Sequence, residues 1–201
     1  MTEDRQVIPG FAGTVIDPAH DEFDAHREVW NAMVDHRPAL IARATSAADV
    51  AAAIRFARQR DLEIGVKCGG HSVLGLSVPN GGLMIDLTPM SGVSVDTNAR
   101  RARVQGGALL RYLDQATQAR GLATTAGNVS HTGVGGLTLG GGMGWLARQL
   151  GLACDNVESF EVVTADGDVV RATSSENADL FWGLRGGGGN FGIVTEFEFR
   201  L

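Results

Sequence analysis

Ile64-Gly65-Val66-Lys67-Cys68-Gly69-Gly70-His71-Ser72-Val73-Leu74-Gly75 is an apolar run that breaks into a glycine turn and presents a single histidine. Leu62 to Lys67 reads as a buried strand. Neither Gly69 nor Gly70 has a Cβ, so their backbone N–H groups can approach an anionic group closely. His71 then stands beside whatever those amides hold. A second glycine-dense stretch carries Gly127, Gly133, Gly135, Gly136, Gly140, Gly141, Gly142 and Gly144. Two such loops point to one large anionic ligand.

Glycine is the compositional outlier, 28 of 201 residues, roughly twice average usage. It is clustered, lacks a Gly-X-Y period and is interleaved with apolar residues, so neither collagen nor a flexible linker fits. At 44% hydrophobic content the chain can bury a real core. The net charge is −6, and the basic residues, such as Arg55, Arg58 and Arg60, are scattered. That pattern offers no electrostatic stripe for nucleic acid. Met1-Thr2-Glu3-Asp4-Arg5-Gln6 is polar and acidic, and no run approaches the length of a membrane span, so the expectation is a cytoplasmic protein. Cys68 and Cys154 are read as reduced thiols.

Outward from the opening stretch, Ala39-Leu40-Ile41-Ala42-Arg43 is a short apolar run. Thr45 or Ser46 then caps a helix to about Arg60, with Val50, Ile54 and Ala57 as its buried stripe, and the Leu62 to Lys67 strand completes a β-α-β unit. The His71 turn falls at that strand's carboxyl end, where open α/β sheets place ligands. Upstream, helical spacing is predicted from Asp24 to Pro38. Downstream come Leu83 to Leu87, then a hairpin of Val93 to Val95 and Ala102 to Val104, then a helix over residues 107–120 stopped by Gly121. Asp166-Gly167 sits between apolar runs 157–164 and 169–173 and signals an antiparallel hairpin. Ser174-Ser175-Glu176-Asn177 is read as the cap of a helix over residues 178–184, followed by a strand over 193–199.

Several chemistries are set aside. Gly187-Gly188-Gly189-Asn190-Phe191-Gly192 matches Gly-x-Gly-x-x-Gly, but Ile193-Val194-Thr195-Glu196-Phe197 after it is a strand pattern, whereas the dinucleotide fingerprint opens a helix. No Gly-Lys-Ser/Thr follows a glycine run, so a triphosphate loop is excluded. His20, His26, His36, His71 and His131 lack metal-ligand spacing with a cysteine. There is no Gly-x-Ser-x-Gly elbow, and the adjacent Ser130 and His131 do not make a nucleophile and base pair.

Three long motifs, however, stand together in order: Val66-Lys67-Cys68-Gly69-Gly70-His71-Ser72; then Gly133-Val134-Gly135-Gly136-Leu137-Thr138-Leu139-Gly140-Gly141-Gly142-Met143-Gly144; then Leu180-Phe181-Trp182-Gly183-Leu184-Arg185-Gly186-Gly187-Gly188-Gly189-Asn190-Phe191-Gly192. In these the chain resembles the berberine bridge enzyme-like flavoproteins of the vanillyl-alcohol oxidase superfamily, from about Phe11 to the end. The resemblance implies an α+β, two-lobed PCMH-type FAD-binding domain: a small β-α-β lobe over about residues 11–78 and a larger mixed or antiparallel sheet lobe with flanking helices over about 79–201.

It further implies FAD contacts at Val66, Lys67, Cys68, Gly69, Gly70, His71, Ser72 and Gly75 on the first loop. On the second they fall at Gly127, Asn128, Val129, Thr132, Gly133, Gly135, Gly136, Gly140, Gly141, Gly142, Gly144 and Trp145. Cys154, Asp155, Asn156, Gly189, Asn190, Gly192, Ile193 and Val194 complete the set. For Asp155, Asn156 and Asn190 a plain turn role competes, since Asx residues are common in turns.

His71 matches the histidine that bonds covalently to the flavin 8α-methyl, a carbon that a neutral imidazole nitrogen can attack. In many relatives a Cys-Pro pair adds a second bond; Val129 and Ser130 stand there, so one bond is expected. Relatives continue into a substrate-binding domain that supplies the catalytic base, and neither is found in these residues. The implied activity is hydride transfer from an alcohol, sugar or amine carbon to the flavin, reoxidised by oxygen or another acceptor. The alternatives are a non-catalytic flavin-binding module and a dimerising domain whose open face meets a second copy or a separate substrate-domain partner.

Overall fold

In a computed structural model the chain is described over residues 7–201; the polar opening on which the cytoplasmic expectation partly rested lies outside the described residues. The first sheet holds β1 (Thr14–Ile16), β2 (Leu40–Arg43), β3 (Ile64–Lys67) and β4 (Leu83–Asp86) in the order β1-β2-β4-β3. β1 is antiparallel to β2, and the other pairings are parallel. All four residues of β4 are buried, as a central parallel strand between two neighbours requires.

Helix α2 (Ala47–Gln59) is the crossover between β2 and β3. The Ser46 hydroxyl accepts from the Asp49 amide at 3.1 Å and caps it. Its packed face is wider than the expected stripe: Ala51, Ala53 and Phe56 join Val50, Ile54 and Ala57 in the core. Asp49 itself is buried, accepting from Ala12 N–H (2.7 Å), Thr45 N–H (2.9 Å) and the Thr45 hydroxyl (2.7 Å).

The second sheet holds β5 (Val93–Asp96), β6 (Arg101–Gln105), β7 (Val157–Val163), β8 (Val169–Thr173) and β9 (Ile193–Arg200) in the order β5-β6-β9-β7-β8, antiparallel throughout. Helices α3 (Leu110–Gln118), α4 (Val134–Leu139), α5 (Ala147–Leu150) and α6 (Ala178–Leu184) accompany it. Leu110, Leu113 and Val134 pack with Phe160, Phe181, Phe197 and Phe199 in a second core. The aromatic rings meet tilted or edge-on at Phe160, with centroids 5.6 to 5.7 Å apart, within the preferred range for such pairs.

The two lobes are also joined through the turn between β7 and β8. The turn at Asp166-Gly167, where Gly167 has φ +82°, is gripped by the first lobe's helix. Arg55 donates to the Gly167 carbonyl at 3.0 Å and Arg58 to the Ala165 carbonyl at 2.6 Å.

The structure confirms the α+β, two-lobed class and corrects several details. β4 joins the first sheet, so the boundary between the sheets falls between Asp86 and Val93, not near residue 78. β4 also lies between β2 and β3, so the β-α-β unit skips a position. The mixed strand directions belong to the first lobe. The helix expected to run to Pro38 ends early: α1 spans Phe23–Arg27, and residues 28–38 form an irregular segment. α3 begins at Leu110, because Gly107 is pressed against the chain leaving β4; a Cβ on it would lie 1.6 Å from the Leu87 carbonyl oxygen. Asn177 does not cap α6 with its side chain, whose amide donates instead to the Arg171 carbonyl at 2.6 Å.

Candidate functional site

The loop leaving β3 and the loop entering α4 come from different sheets and are pressed together by the lack of side chains. A Cβ on Gly69 would lie 2.3 Å from the Gly133 nitrogen and 2.9 Å from the His131 carbonyl oxygen; one on Gly133 would lie 2.4 Å from the Cys68 sulfur. Only glycine permits that approach. The second loop is fixed from the other side by α3, whose first amides need acceptors. Leu110 N–H donates to the Thr132 carbonyl and Arg111 N–H to the Ser130 carbonyl, each at 2.9 Å.

Cys68 fills the junction. Its thiol donates to the Ala108 carbonyl at 3.4 Å. Burial pushes it up to about 11, against the pull of the nearby Gly135, Gly69 and Val134 amides. A thiol held that high is protonated packing material and not a nucleophile.

Two cavities open from this junction and share Cys68, Gly69 and His71. The larger in glycine content, about 490 Å³, runs between the sheets. One wall is Val66 and the loop to Ser72, with Ser77 and Leu87; the other is Gly106, Thr132, Gly133, Gly135, Gly136 and Gly140; Gly188, Gly189, Gly192, Ile193 and Val194 close its end. A Cβ on Gly136 or Gly189 would meet nothing within 4 Å, so at both positions bare backbone faces open space. The Ser77 hydroxyl is buried in this lining without a hydrogen-bond partner.

The other cavity, about 550 Å³, lies across His71 and is walled by Glu28, Val29, Trp30, Thr88, Leu109, Arg111, Tyr112 and His131. Here His71 is clamped. Trp30 stacks on its ring with centroids 5.4 Å apart and 15° between planes. His71 Nε2 and His131 Nδ1 are 2.7 Å apart. Burial, then the neighbouring His131, holds the His71 imidazole below the usual histidine value, favouring its neutral form. The irregular 28–38 segment exists to make this clamp: Trp30 N–H donates to the Gly70 carbonyl at 3.0 Å and the Asn31 side chain to the Val73 carbonyl at 2.9 Å. Lys67 Nζ ties down its start by donating to the His26 carbonyl at 2.6 Å.

Among the residues singled out from sequence, Val66, Cys68, Gly69, Gly70, His71, Ser72, Thr132, Gly133, Gly135, Gly136, Gly140, Gly189, Gly192, Ile193 and Val194 line the inter-sheet cleft. The others stand away from its walls. Gly75 packs on Val34, and Gly127 on Leu137 and Leu110. The carbonyls of Gly141 and Gly142 accept from Cys154 and Ala153 at 2.9 and 2.8 Å, while Gly144 abuts the Ala126 carbonyl. Asp155 accepts from Leu152 N–H at 2.8 Å, Asn156 donates to the Leu150 and Leu152 carbonyls, and Asn190 donates to the Gly187 carbonyl at 2.8 Å. Each thus makes a local turn contact, and Asp155 and Asn156 also accept from the Arg185 and Arg200 guanidinium groups. Asn128, Val129 and Trp145 are exposed, Trp145 at 85%.

His131 and Trp30 were missed by sequence reasoning. Neither shows a helical or motif spacing to His71; His131 is 60 residues away, and its one signal is its place just before the glycine run. Among the described residues no cluster of His, Cys, Asp and Glu could hold a metal, and no helix is long and apolar enough to cross a membrane.

Residues 38–173 match the FAD binding domain family. The chain is 42% identical to 6-hydroxy-D-nicotine oxidase from Arthrobacter nicotinovorans, with a TM-score of 0.93, covering 94% of this chain and 42% of that one. It is 33% identical to the berberine bridge enzyme-like protein 1 of Physcomitrella patens, TM-score 0.90, over 94% of this chain and 42% of that one. It is 39% identical to the glucooligosaccharide oxidase of Acremonium strictum, which carries 6-S-cysteinyl, 8α-N1-histidyl FAD; there the TM-score is 0.89 over 94% of this chain and 40% of that one. The chain thus spans about two fifths of the length of the relatives it matches.

Proposed function

The chain belongs to the FAD binding domain family, and from that premise we propose that it is the FAD-binding part of an oxidoreductase that carries its flavin covalently on His71. The supporting observation is the glycine-walled cleft with His71 in its lining, its ring stacked by Trp30. The lining fits the cofactor. A diphosphate needs hydrogen-bond donors without intervening side chains, and Gly136 and Gly189 both present bare backbone to the cleft. The unpartnered Ser77 hydroxyl is a donor awaiting an acceptor.

When bound, FAD supplies two-electron chemistry, accepting hydride from an alcohol, sugar or amine carbon and passing the electrons to oxygen or another acceptor. This chain's residues hold and orient it. The backbone of 69–72 and 133–136 grips it from both sheets, Ile193 and Val194 give an apolar floor, and His71 anchors one end. Val129 and Ser130 offer no thiol for a second bond. No residue in the cleft is assigned the proton of a substrate. The part of the relatives beyond the matched two fifths would supply that base and cover exposed groups such as Met33, Leu74 and Trp145, which are 91%, 76% and 85% exposed.

Acid precipitation of the purified yellow protein tests the reading. Flavin retained in the pellet and released from His71→Ala supports it; a colourless protein, or equal retention by the variant, refutes it. Bleaching of the bound flavin by a sugar, alcohol or amine separates a working enzyme from a binding module.

A further inference from the structure

Covalent attachment through an imidazole has two requirements that FAD binding alone does not impose. One ring nitrogen must carry a lone pair toward the cofactor, and the other must hold a proton that can leave as the bond forms. In solution the two neutral tautomers of histidine interconvert, so a site that performs this step has to select one.

His71 lines both cavities, whereas His131 and Trp30 line only the aromatic one. His131 therefore meets the His71 ring within the aromatic cavity, with Nδ1 2.7 Å from His71 Nε2. Trp30, stacked on the ring, fixes its plane. Nδ1 of His71 has no hydrogen-bond partner among the described residues. The short contact has two possible senses. If His131 were the donor, the His71 proton would sit on Nδ1 and the ring's one lone pair, on Nε2, would be engaged by His131. If His71 Nε2–H is the donor, Nδ1 is left with its lone pair.

We propose that His131 is the positioning residue for flavin attachment: it accepts the Nε2–H of His71, directs bonding through Nδ1, and takes up the departing proton. This rests on the covalent reading of His71 given above. Nδ1 bonds to the 8α carbon as a C–H bond of that methyl is lost. The two electrons of that bond pass to the ring system and its proton to water; the Nε2 proton moves to His131 Nδ1, and dioxygen takes the two electrons with two protons from water and leaves as hydrogen peroxide. His131 is exposed, so its own Nε2 proton can pass to water. Its position does not depend on the flavin, because the flanking Ser130 and Thr132 carbonyls are bonded to the first amides of α3.

The test is reconstitution of flavin-free protein with FAD in aerated buffer. Three readouts are followed: reversible FAD binding by fluorescence, acid-stable flavin against time, and the bonded ring nitrogen by NMR of the isolated flavin peptide. The wild type should attach flavin at Nδ1. His131→Ala should bind FAD reversibly but attach it about a hundredfold more slowly, the scale of a lost proton-transfer group. His131→Asn, whose side-chain oxygen accepts the same hydrogen bond without taking a proton, should keep the Nδ1 linkage and recover only part of the rate. Attachment at Nε2 in the wild type, or a wild-type rate in His131→Ala, overturns the role of His131 while leaving covalent anchoring intact. No acid-stable flavin in the wild type overturns the anchoring itself and this role with it.

Discussion

Neighbouring glycines in α4 should respond to the same substitution with opposite signs. At Gly136 an added Cβ meets no atom within 4 Å, and the position is exposed to the cleft. At Gly135, one residue earlier and buried, the Cβ would lie 3.1 Å from the Gly106 carbonyl oxygen. Alanine is favoured over glycine inside a helix by up to ~1 kcal/mol. Gly136→Ala should therefore stabilise the flavin-free protein, raising Tm by about 2–4 °C for a chain of this size. Gly135→Ala gains the same propensity but must displace backbone, and overpacking of that kind costs about 1–3 kcal/mol.

For FAD the order reverses. On the proposed reading the methyl of Gly136→Ala would crowd a diphosphate held at this helix start, and losing one backbone hydrogen bond to a charged oxygen is worth about 1.5–3 kcal/mol. That corresponds to a Kd raised about 10- to 150-fold. The assay is thermal unfolding without flavin, and fluorescence titration with FAD in a His71→Ala background so that binding is reversible. A more stable Gly136→Ala that binds FAD as tightly as its parent would refute the assignment of this turn to the cofactor.

Other consequences can be measured alongside. Gly69→Ala should lower stability by about 1–3 kcal/mol, since its Cβ would strike the Gly133 and His131 backbone; an unchanged denaturation midpoint would remove the inter-loop contact as a structural requirement. Burial and His131 depress the His71 value below 6.5, so the unfolded chain binds its proton first on acidification. The part of the stability that His71 contributes to the flavin-free protein is then complete above pH 6.5 and lost as pH falls below it. Accordingly, the Tm difference from His71→Gln should be flat on the alkaline side and change only on the acid side. Cys68, pushed up to about 11, and Cys154, raised chiefly by burial, should resist alkylation in the native protein at pH 8 and react on denaturation; rapid labelling of native Cys68 would contradict its packing role. Asp49→Ala removes a buried carboxylate that accepts from the Ala12 and Thr45 amides and the Thr45 hydroxyl, and should cost about 1.5–3 kcal/mol by urea unfolding.

Legibility from sequence followed the range over which each signal acts. Ser46 capping α2 and Asp166-Gly167 turning β7 into β8 are local, and both were readable. The glycine loops were readable only in part, since Gly69, Gly70, Gly133, Gly135, Gly136 and Gly140 line the cleft whereas Gly127, Gly142 and Gly144 serve close packing within the protein. The stretch after Arg27 was not: its apolar spacing fits a helix, but Trp30 is needed over His71 and its amide on Gly70, and those tertiary contacts override propensity. The insertion of β4 between β2 and β3 leaves no mark in either strand, since all three are apolar. His131 stayed hidden because a contact across 60 residues has no period. For Asn156 and Asn190 the sequence left a turn role and a cofactor contact side by side, and the structure shows each donating to a nearby backbone carbonyl.

The strand order of the second sheet governs when a cofactor can be acquired. β9, the last strand in sequence, lies at the centre between β6 and β7, and its first residues floor the cleft. On a ribosome, β5, β6, β7 and β8 would emerge as two hairpins with no shared edge, and only residues 193–200 join them. Such long-range closure is slow and comes late in folding. A nascent chain cut short of Ile193 would display the His71 loop yet lack Ile193 and Val194 from the cleft lining, and the two hairpins would have no strand to join them, so a cleft with all its walls would await the arrival of one strand.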